Sequence, residues 1–299
     1  MKKYILPLLA LSSVALLSGC KNAEHEFSDY EGGTTVYFPY QRPVRTILLG
    51  GGVEYDNSLD NAHKFRILGY GAGAYNSYEY TFQYAVDESL VDTYAPAPTS
   101  TVRAMPQSYY KISGNTSTYY GNFNSGFEVE LTDAFFQDPY SLLSHWVIPI
   151  RMSNVTGATR ILDSTYAEEN DLSPMDYTLY CVKYVNPWEG YYLLKGTAAD
   201  LLDCTIIRVY TTSLTTCEYR NPDYVTMTLD FGSETSTQCT ITGEGVAGTG
   251  TFGSGTEAKA WGDKDRDALY LNYTVGSKTY QDTLVLQRRG DFAGTIIEF

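Results

Sequence analysis

The stretch LYLNYTVGSKTYQDTLVLQ, from Leu269 to Gln287, decides the fold class. Both sides of Gly276-Ser277 are runs of β-branched and aromatic residues, the composition of strands. A two-residue Gly-Ser loop between such runs is a hairpin signal, because glycine supplies the positive φ of a tight turn at no steric cost. Working outward from the two strands Leu269–Val275 and Thr279–Gln287, the pattern recurs at Tyr191–Leu194, Thr205–Tyr210, Thr216–Arg220, Tyr224–Asp230, Gln238–Thr242 and Thr295–Phe299. Eight successive short strands joined by short turns predict an antiparallel meander, and closing it into a barrel removes the exposed edges. An open sandwich of the same strands is the competing shape. Gly50-Gly51-Gly52 and the run from Gly243 to Gly255 read as flexible loops, since neither leads from a strand into a helix.

Asn186-Pro187 interrupts the strand pattern, because proline lacks a ladder donor and restricts the residue before it. A domain boundary is placed there, with the barrel at 186–299. Upstream, 34–185 carries seven runs of the same kind: Thr34–Phe38, Val44–Leu49, Lys64–Leu68, Tyr78–Val86, Phe127–Leu131, Trp146–Met152 and Tyr177–Val185. Seven short strands without helical periodicity predict an immunoglobulin-like β-sandwich. Helix is expected only as a turn or two around Thr132–Gln137 and Pro139–Leu143. The connections 87–108 and 153–176 are acidic or contain proline and should lie on the surface. The fold expected is therefore all-β, a sandwich followed by a barrel, with no sequence repeat relating the two.

The N-terminus points to export. Lys2 and Lys3 precede an apolar run of thirteen residues from Ile5 to Leu17, which ends in Leu17-Ser18-Gly19-Cys20. A charged start, a short apolar core and small residues before a cut form a signal peptide, residues 1–20. The run is too short to cross a bilayer core, which takes about twenty residues as a helix. Its ending resembles the lipobox of bacterial lipoproteins, in which cleavage leaves an acylated cysteine. Cys20 is then the lipid attachment site, and two or more acyl chains hold a protein stably on a membrane. Residues 21–33, KNAEHEFSDYEGG, read as an acidic tether.

Composition narrows the partners. The formal charge is −14, from 21 basic and 35 acidic residues, and becomes −16 (19 minus 35) once Lys2 and Lys3 are removed with the leader. Such a polyanion is repelled by phosphate backbones, so nucleic acid is not an expected partner. Tyrosine is abundant at 28 residues, against 12 Phe and 3 Trp. It suits half-buried strand positions, and when exposed it forms stacking and contact surfaces. Beyond Cys20 the cysteines are Cys181, Cys204, Cys217 and Cys239. Export permits disulfides and the three possible pairings stay open, but strand-like surroundings favour free buried thiols.

Several further features resemble a known group. Asp87-Glu88-Ser89-Leu90-Val91 after a tyrosine-rich strand, Met105-Pro106 followed by Tyr109-Tyr110, and the strand from Trp146 are similar to an immunoglobulin-like domain of unknown function. That domain opens many Bacteroidetes-type surface lipoproteins of glycan-utilisation loci. Asn186-Pro187-Trp188-Glu189-Gly190-Tyr191-Tyr192 through Leu284-Val285-Leu286 resembles the calycin-like domain of unknown function that often follows it. The resemblance implies an accessory lipoprotein on the outer membrane, facing outward, that holds glycan beside an importer. It also implies closure of the barrel by Trp188 with Arg288 or Arg289.

A search for chemistry finds little. His25, His63 and His145 lie in separate contexts, so no histidine-based triad or metal cluster is evident. Asp263-Lys264-Asp265-Arg266-Asp267 imitates the start of a calcium loop, but Ala268 stands where the glycine belongs and Thr274 where the bidentate glutamate belongs. A solvated hairpin tip is the preferred reading, and neither metal nor cofactor is expected. Glu128 and Glu130 share a strand face, more simply a solvent face than a glycosidase pair. Sugars stack C–H faces on aromatic planes and offer hydroxyls to nearby amides and carboxylates. The loop aromatics Tyr70, Tyr75, Tyr78, Tyr119, Tyr120 and Trp261 are therefore the ligand-binding candidates. The expected function is non-catalytic capture of extracellular glycan. A docking subunit of an outer-membrane importer and an unrecognised glycoside hydrolase are the alternatives.

Overall fold

A computed structural model describes residues 32–50, 57–73, 79–121, 124–196, 205–260, 262, 264–289 and 297–299. Cys20, the tether up to residue 31, Tyr75, Tyr78, Cys204 and Trp261 lie outside the described residues. Within them, no helix is long and apolar enough to cross a membrane.

The chain begins with β1 (Thr35–Tyr37), β2 (Pro43–Leu48), α1 (Ser58–Asn61), β3 (Lys64–Ala72) and β4 (Glu79–Val86). It continues through α2 (Ser89–Tyr94), β5 (Arg103–Ala104), β6 (Tyr110–Ile112), β7 (Thr116–Tyr120) and β8 (Asn124–Leu131). Then come α3 (Asp133–Gln137), β9 (Trp146–Thr156), β10 (Arg160–Ile161), α4 (Ser164–Glu169) and β11 (Tyr177–Val185). The second half contains β12 (Gly190–Gly196), β13 (Ile206–Thr211), β14 (Thr216–Arg220), β15 (Thr226–Asp230) and β16 (Gln238–Gly243). It ends with β17 (Val246–Glu257), β18 (Arg266–Val275), β19 (Lys278–Arg288) and β20 (Ile297–Glu298).

The first half is a two-sheet sandwich. One sheet runs β10-β1-β3-β8-β6 and the other β20-β2-β11-β9-β4-β7, with β5 added beside β9. All seven expected strands are present, as β1, β2, β3, β4, β8, β9 and β11. The four extra ones, β5, β6, β7 and β10, are two to five residues long. Three pairings are parallel: β1 with β10, β2 with β11 and β5 with β9. The two-residue side-chain period of strands sends Phe65 and Ile67, Phe82 and Tyr84, Phe127 and Val129, and Ile148 and Ile150 into one core. β11 is buried on both faces. Tyr180, Val182 and Tyr184 enter that core, whereas Leu179 and Cys181 face a second cluster with Leu90 and Val91 of α2.

The second half is a closed antiparallel barrel of eight strands, β12 to β19. β12 pairs with β19 to close it, with Tyr192 opposite Leu286. The Gly276-Ser277 hairpin is present: Val275 pairs with Lys278, and Gly276 has φ 58°. Side chains fill the interior. Trp188 lies flat on Phe231 at 3.6 Å, and Tyr273 on Tyr280 at 4.8 Å.

Two expectations are corrected here. The glycine run Gly243–Gly255 is not a flexible loop, since Gly243 ends β16 and Val246–Gly255 is most of β17, and the described end of the expected last barrel strand, Ile297–Phe299, does not join the barrel. The glycines of β17 answer a steric demand: a Cβ on Gly248 would strike the Asn272 carbonyl and sit 2.6 Å from the Tyr273 Cβ. A Cβ on Gly250 would sit 2.7 Å from Leu271 and 2.8 Å from the Cys239 sulfur. Large interior side chains from neighbouring strands thus occupy the space that β17 leaves empty. The C-terminal strand, β20, returns to the sandwich, where Glu298 pairs with Pro43 and Ile297 with Val44 of β2.

Arg289 stands at the junction of the two halves and is 4% exposed. It donates to the carbonyls of Pro187 (2.7 Å), Asn186 (2.7 Å) and Leu49 (2.9 Å). Arg288 instead lies over the Tyr191 ring at 4.2 Å. Barrel closure therefore runs from Arg289 to the backbone beside Trp188, while the Trp188 ring stacks on Phe231.

Candidate functional site

Strand parity separates the two adjacent tyrosine candidates. On β7 every second side chain points inward, so Tyr119 is fully buried against Tyr80 at 4.1 Å and Phe82 at 5.8 Å. Tyr119 is therefore a core residue and not an exposed ligand contact. Its neighbour Tyr120 is 70% exposed, opposite Glu79 of β4. Tyr70 lies half-buried on the outward face of β3, its ring 6.5 Å from that of Tyr37, and it lines a small cavity with Arg66, Leu68 and Tyr40.

The other chemically suggestive residues are mostly held in structural pairings. Glu128 and Glu130 sit on the solvent side of β8, bound to Lys64 at 2.9 and 3.7 Å, with Lys111 also on Glu130 at 3.1 Å. His63 contacts Glu234 at 3.2 Å across the junction, and His145 stacks on Tyr140. In the acidic run Asp263–Asp267, Asp263 lies outside the described residues and Asp265 is exposed in the turn between β17 and β18, whereas Asp267 departs from the solvated-tip reading because it is a buried residue of β18. Asp267 is 4% exposed and accepts from the Ser254 hydroxyl at 2.9 Å and the Gly255 N–H at 2.8 Å. Asp265 accepts from the Lys259 N–H. Among the described residues no group of three or more His, Cys, Asp or Glu is placed to hold a metal ion. Cys181, Cys217 and Cys239 are free and buried.

An open cleft of about 360 Å3 lies where the tail of β9, the short strand β10 and α4 meet. Sites for small ligands commonly occupy ~300–1,000 Å3. Each of its polar residues is positioned by a local rule. Pairing with Thr35 of β1 fixes Arg160 at the sheet edge. Asp163, extended at φ −84° and ψ 178°, caps α4 by accepting the Tyr166 N–H at 2.9 Å. That turn brings Tyr166 back under Arg160, whose guanidinium lies 4.6 Å from the ring centroid and donates to its hydroxyl at 2.9 Å. A second donor of Arg160 binds the Gly32 carbonyl at 2.6 Å. Asn154 of β9 and Glu169 at the end of α4 complete the walls with exposed side chains.

Chemically, the cleft joins a partly exposed aromatic ring, a five-donor guanidinium fork, two carboxylates and a side-chain amide. That set meets ligands rich in hydroxyls, which both donate and accept. The sequence reading missed all five residues, Asn154, Arg160, Asp163, Tyr166 and Glu169, because segment 153–176 carries no long strand pattern. Asp163 ahead of Ser164-Thr165-Tyr166 is the one local signal that an ordered turn begins there.

A sandwich bearing a polar, aromatic-floored cleft and tied to a filled eight-stranded barrel defines a two-part, all-β class of protein. The chain belongs to the family of a Bacteroides ovatus protein of unknown function known from its crystal structure. The two are 32% identical over 88% of this chain and 96% of that one, with a TM-score of 0.73. A second Bacteroides ovatus protein of unknown function is 11% identical over 84% of this chain and 89% of that one, with a TM-score of 0.41. A family described as "-like, N-terminal domain" matches residues 30–159, and the domain of unknown function DUF5627 matches 197–290. The 32%-identical relative and the two family matches fit the Bacteroidetes-type protein that the sequence resembles. No protein of curated function matches.

Proposed function

We propose that this protein is a lipid-anchored, outward-facing glycan-binding protein of the outer membrane, attached through Cys20 and acting beside an importer without catalysing a reaction. The cleft around Tyr166 is the observation that carries the binding role. Its ring gives a sugar C–H face a partner, while Arg160, Asn154 and Glu169 surround it with donors and acceptors. Asp163 spends one carboxylate oxygen on the helix cap, which suits a positioning residue better than a proton-transfer group. Tyr120, strongly exposed on the sandwich, offers a further stacking surface.

A glycan array tests this reading. Saturable binding is expected, weakened about tenfold or more by Tyr166→Ala and by Arg160→Ala, corresponding to about 1.4 kcal/mol. Silence across a broad array would replace capture with docking on an importer. Product release abolished by a single Asp or Glu substitution would make the protein a glycosidase. Mass spectrometry of the protein from its native membrane should find Cys20 acylated and residues 1–19 removed.

A further inference from the structure

The hairpin between β14 and β15 carries a residue that its backbone does not favour. The Asn221 N–H donates to the Val225 carbonyl at 3.0 Å, and the Tyr224 N–H donates to the Asn221 carbonyl at 2.9 Å. Pro222, Asp223 and Tyr224 are thus the loop residues, and Tyr224 takes the left-handed position with φ 64°. Three-residue hairpin loops normally place glycine there, because a Cβ crowds the backbone at positive φ. A bulky aromatic residue in that conformation is uncommon and strained.

Packing does not account for the tyrosine. Tyr224 is 77% exposed, more than any other large hydrophobic residue among those described. Its ring rests on Arg220, whose guanidinium lies 4.9 Å from the centroid, and an exposed pair of this kind adds little to stability. His63, also at positive φ, differs: it stacks on Phe136 at 4.2 Å and contacts Glu234. The Tyr224 loop is nevertheless firmly mounted. The Asn221 side chain accepts the Val225 N–H at 3.0 Å and donates to the Tyr273 hydroxyl at 3.2 Å. Asp223 accepts the Lys278 ammonium at 2.9 Å and the Tyr280 hydroxyl at 2.6 Å, both on Oδ2.

We propose that Tyr224 is a second sugar-stacking residue, at the end of the barrel remote from the sandwich, so that the protein engages glycan at two separate places. An open aromatic face beside Arg220, Asp223 and Lys278 offers a C–H partner together with donors and an acceptor for hydroxyls. The hot spot of a protein interface would instead sit within a wider apolar surround. The position suits capture. β14 starts beside the Asn186-Pro187 connector, where Asn186 donates to the Thr216 carbonyl at 2.9 Å, and it runs from there away from the sandwich. The Tyr166 cleft lies at the opposite extremity. β3 leaves the junction at His63 and ends at Ala72, which pairs with Thr35 close to where Arg160 holds Gly32. Gly32 is also where the chain leads toward Cys20, so on an anchored protein Tyr224 is at the extremity farther from the anchor. Sugar as the occupant rests on the glycan-binding reading above, whereas the strain at Tyr224 does not.

Titration with hexasaccharides cut from mannan, xylan, β-glucan, starch and pectin, followed by NMR chemical shifts, tests the assignment beside melting temperatures of the free proteins. At least one hexasaccharide is expected to shift resonances both at the Tyr166 cleft and at the Tyr224 loop. Tyr224→Gly should weaken the loop site about threefold to tenfold and leave the cleft unchanged, and Tyr166→Ala should do the opposite. Without sugar, Tyr224→Gly should melt no lower than the native protein and above Tyr224→Ala, which keeps the strain and loses the ring. Sugar binding that is weakened by Tyr166→Ala but indifferent to Tyr224→Gly overturns the second site and spares the glycan function. The reverse pattern supports the Tyr224 site and removes the cleft as a binding site. No response to any hexasaccharide overturns sugar as the occupant of both. A Tyr224→Gly protein that melts below the native one overturns the assignment as well, by showing that the ring serves the fold.

Discussion

At the scale of single residues, strand parity and burial decide what each side chain is free to do. Tyr119 and Tyr120 are chemically alike, yet one packs in the core and the other meets solvent. Tyr119→Ala should destabilise the fold by about 3–5 kcal/mol, the range for truncating a buried aromatic ring. Tyr120→Ala should stay within about 0.5 kcal/mol of the native protein, and urea unfolding would read both. Comparable losses at the two positions would contradict the assigned register of β7. The thiols follow the same logic. Burial pushes Cys181 up to about 12 and Cys239 up to about 11, and it raises Cys217 as well. The thiolate is the reactive form, so these three cysteines should resist maleimide at pH 8 in the folded protein and react once it is unfolded. Fast labelling of any of them without denaturant would show that its strand opens readily.

At the scale of elements, what was legible in the sequence is what local pattern determines. The seven long-patterned strands of the sandwich and the Gly276-Ser277 hairpin were readable because alternation and turn chemistry are local properties. β17 was not, because its glycines are selected by atoms of other strands: the Asn272 carbonyl, Tyr273 and Leu271 from β18 and the Cys239 sulfur from β16. Its own sequence therefore looks like a linker. The destination of β20 was hidden for a related reason, since nothing local says whether a terminal strand pairs with the barrel or with β2. The Tyr166 cleft was equally invisible, being built from β9, β10 and α4, whose meeting depends on the pairing of Arg160 with Thr35. The steric account of β17 predicts that Gly248→Val destabilises the protein by about 1–3 kcal/mol through overpacking against Tyr273. A chemical-denaturation midpoint unchanged by this substitution would mean that β17 is looser than its pairing with β18 implies.

At the scale of the whole molecule, stability at alkaline pH and the joining of sandwich to barrel both follow from burial. Burial raises Tyr80, Tyr84 and Tyr180 to about 12. An unfolded chain releases thiol protons from about pH 8.5 and tyrosine protons from about pH 10, whereas the folded chain holds them longer. Above about pH 9 the unfolded state therefore binds fewer protons, the slope of stability with pH is negative, and the contribution is lost as pH rises through about 11–12. Melting temperatures measured from pH 8 upward should fall across that window, accompanied by tyrosinate absorbance at the transition. The two halves themselves are joined by the β20–β2 pairing, the His63–Glu234 contact and Arg289. Arg289 is the most demanding of these, because its buried fork binds carbonyls of the sandwich (Leu49) and of the connector (Asn186, Pro187) together. Arg289→Met would leave three carbonyl oxygens without that donor, a loss of about 3 kcal/mol or more if each charge-assisted bond contributes at least ~1 kcal/mol. Arg289→Lys should recover part of this, since an ammonium donates but cannot reproduce the planar fork. One calorimetric transition is expected of the native protein, and with the clamp gone sandwich and barrel should unfold as two. A single transition at the native temperature in Arg289→Met would show that the β20–β2 pairing and the His63–Glu234 contact hold the halves together without the clamp.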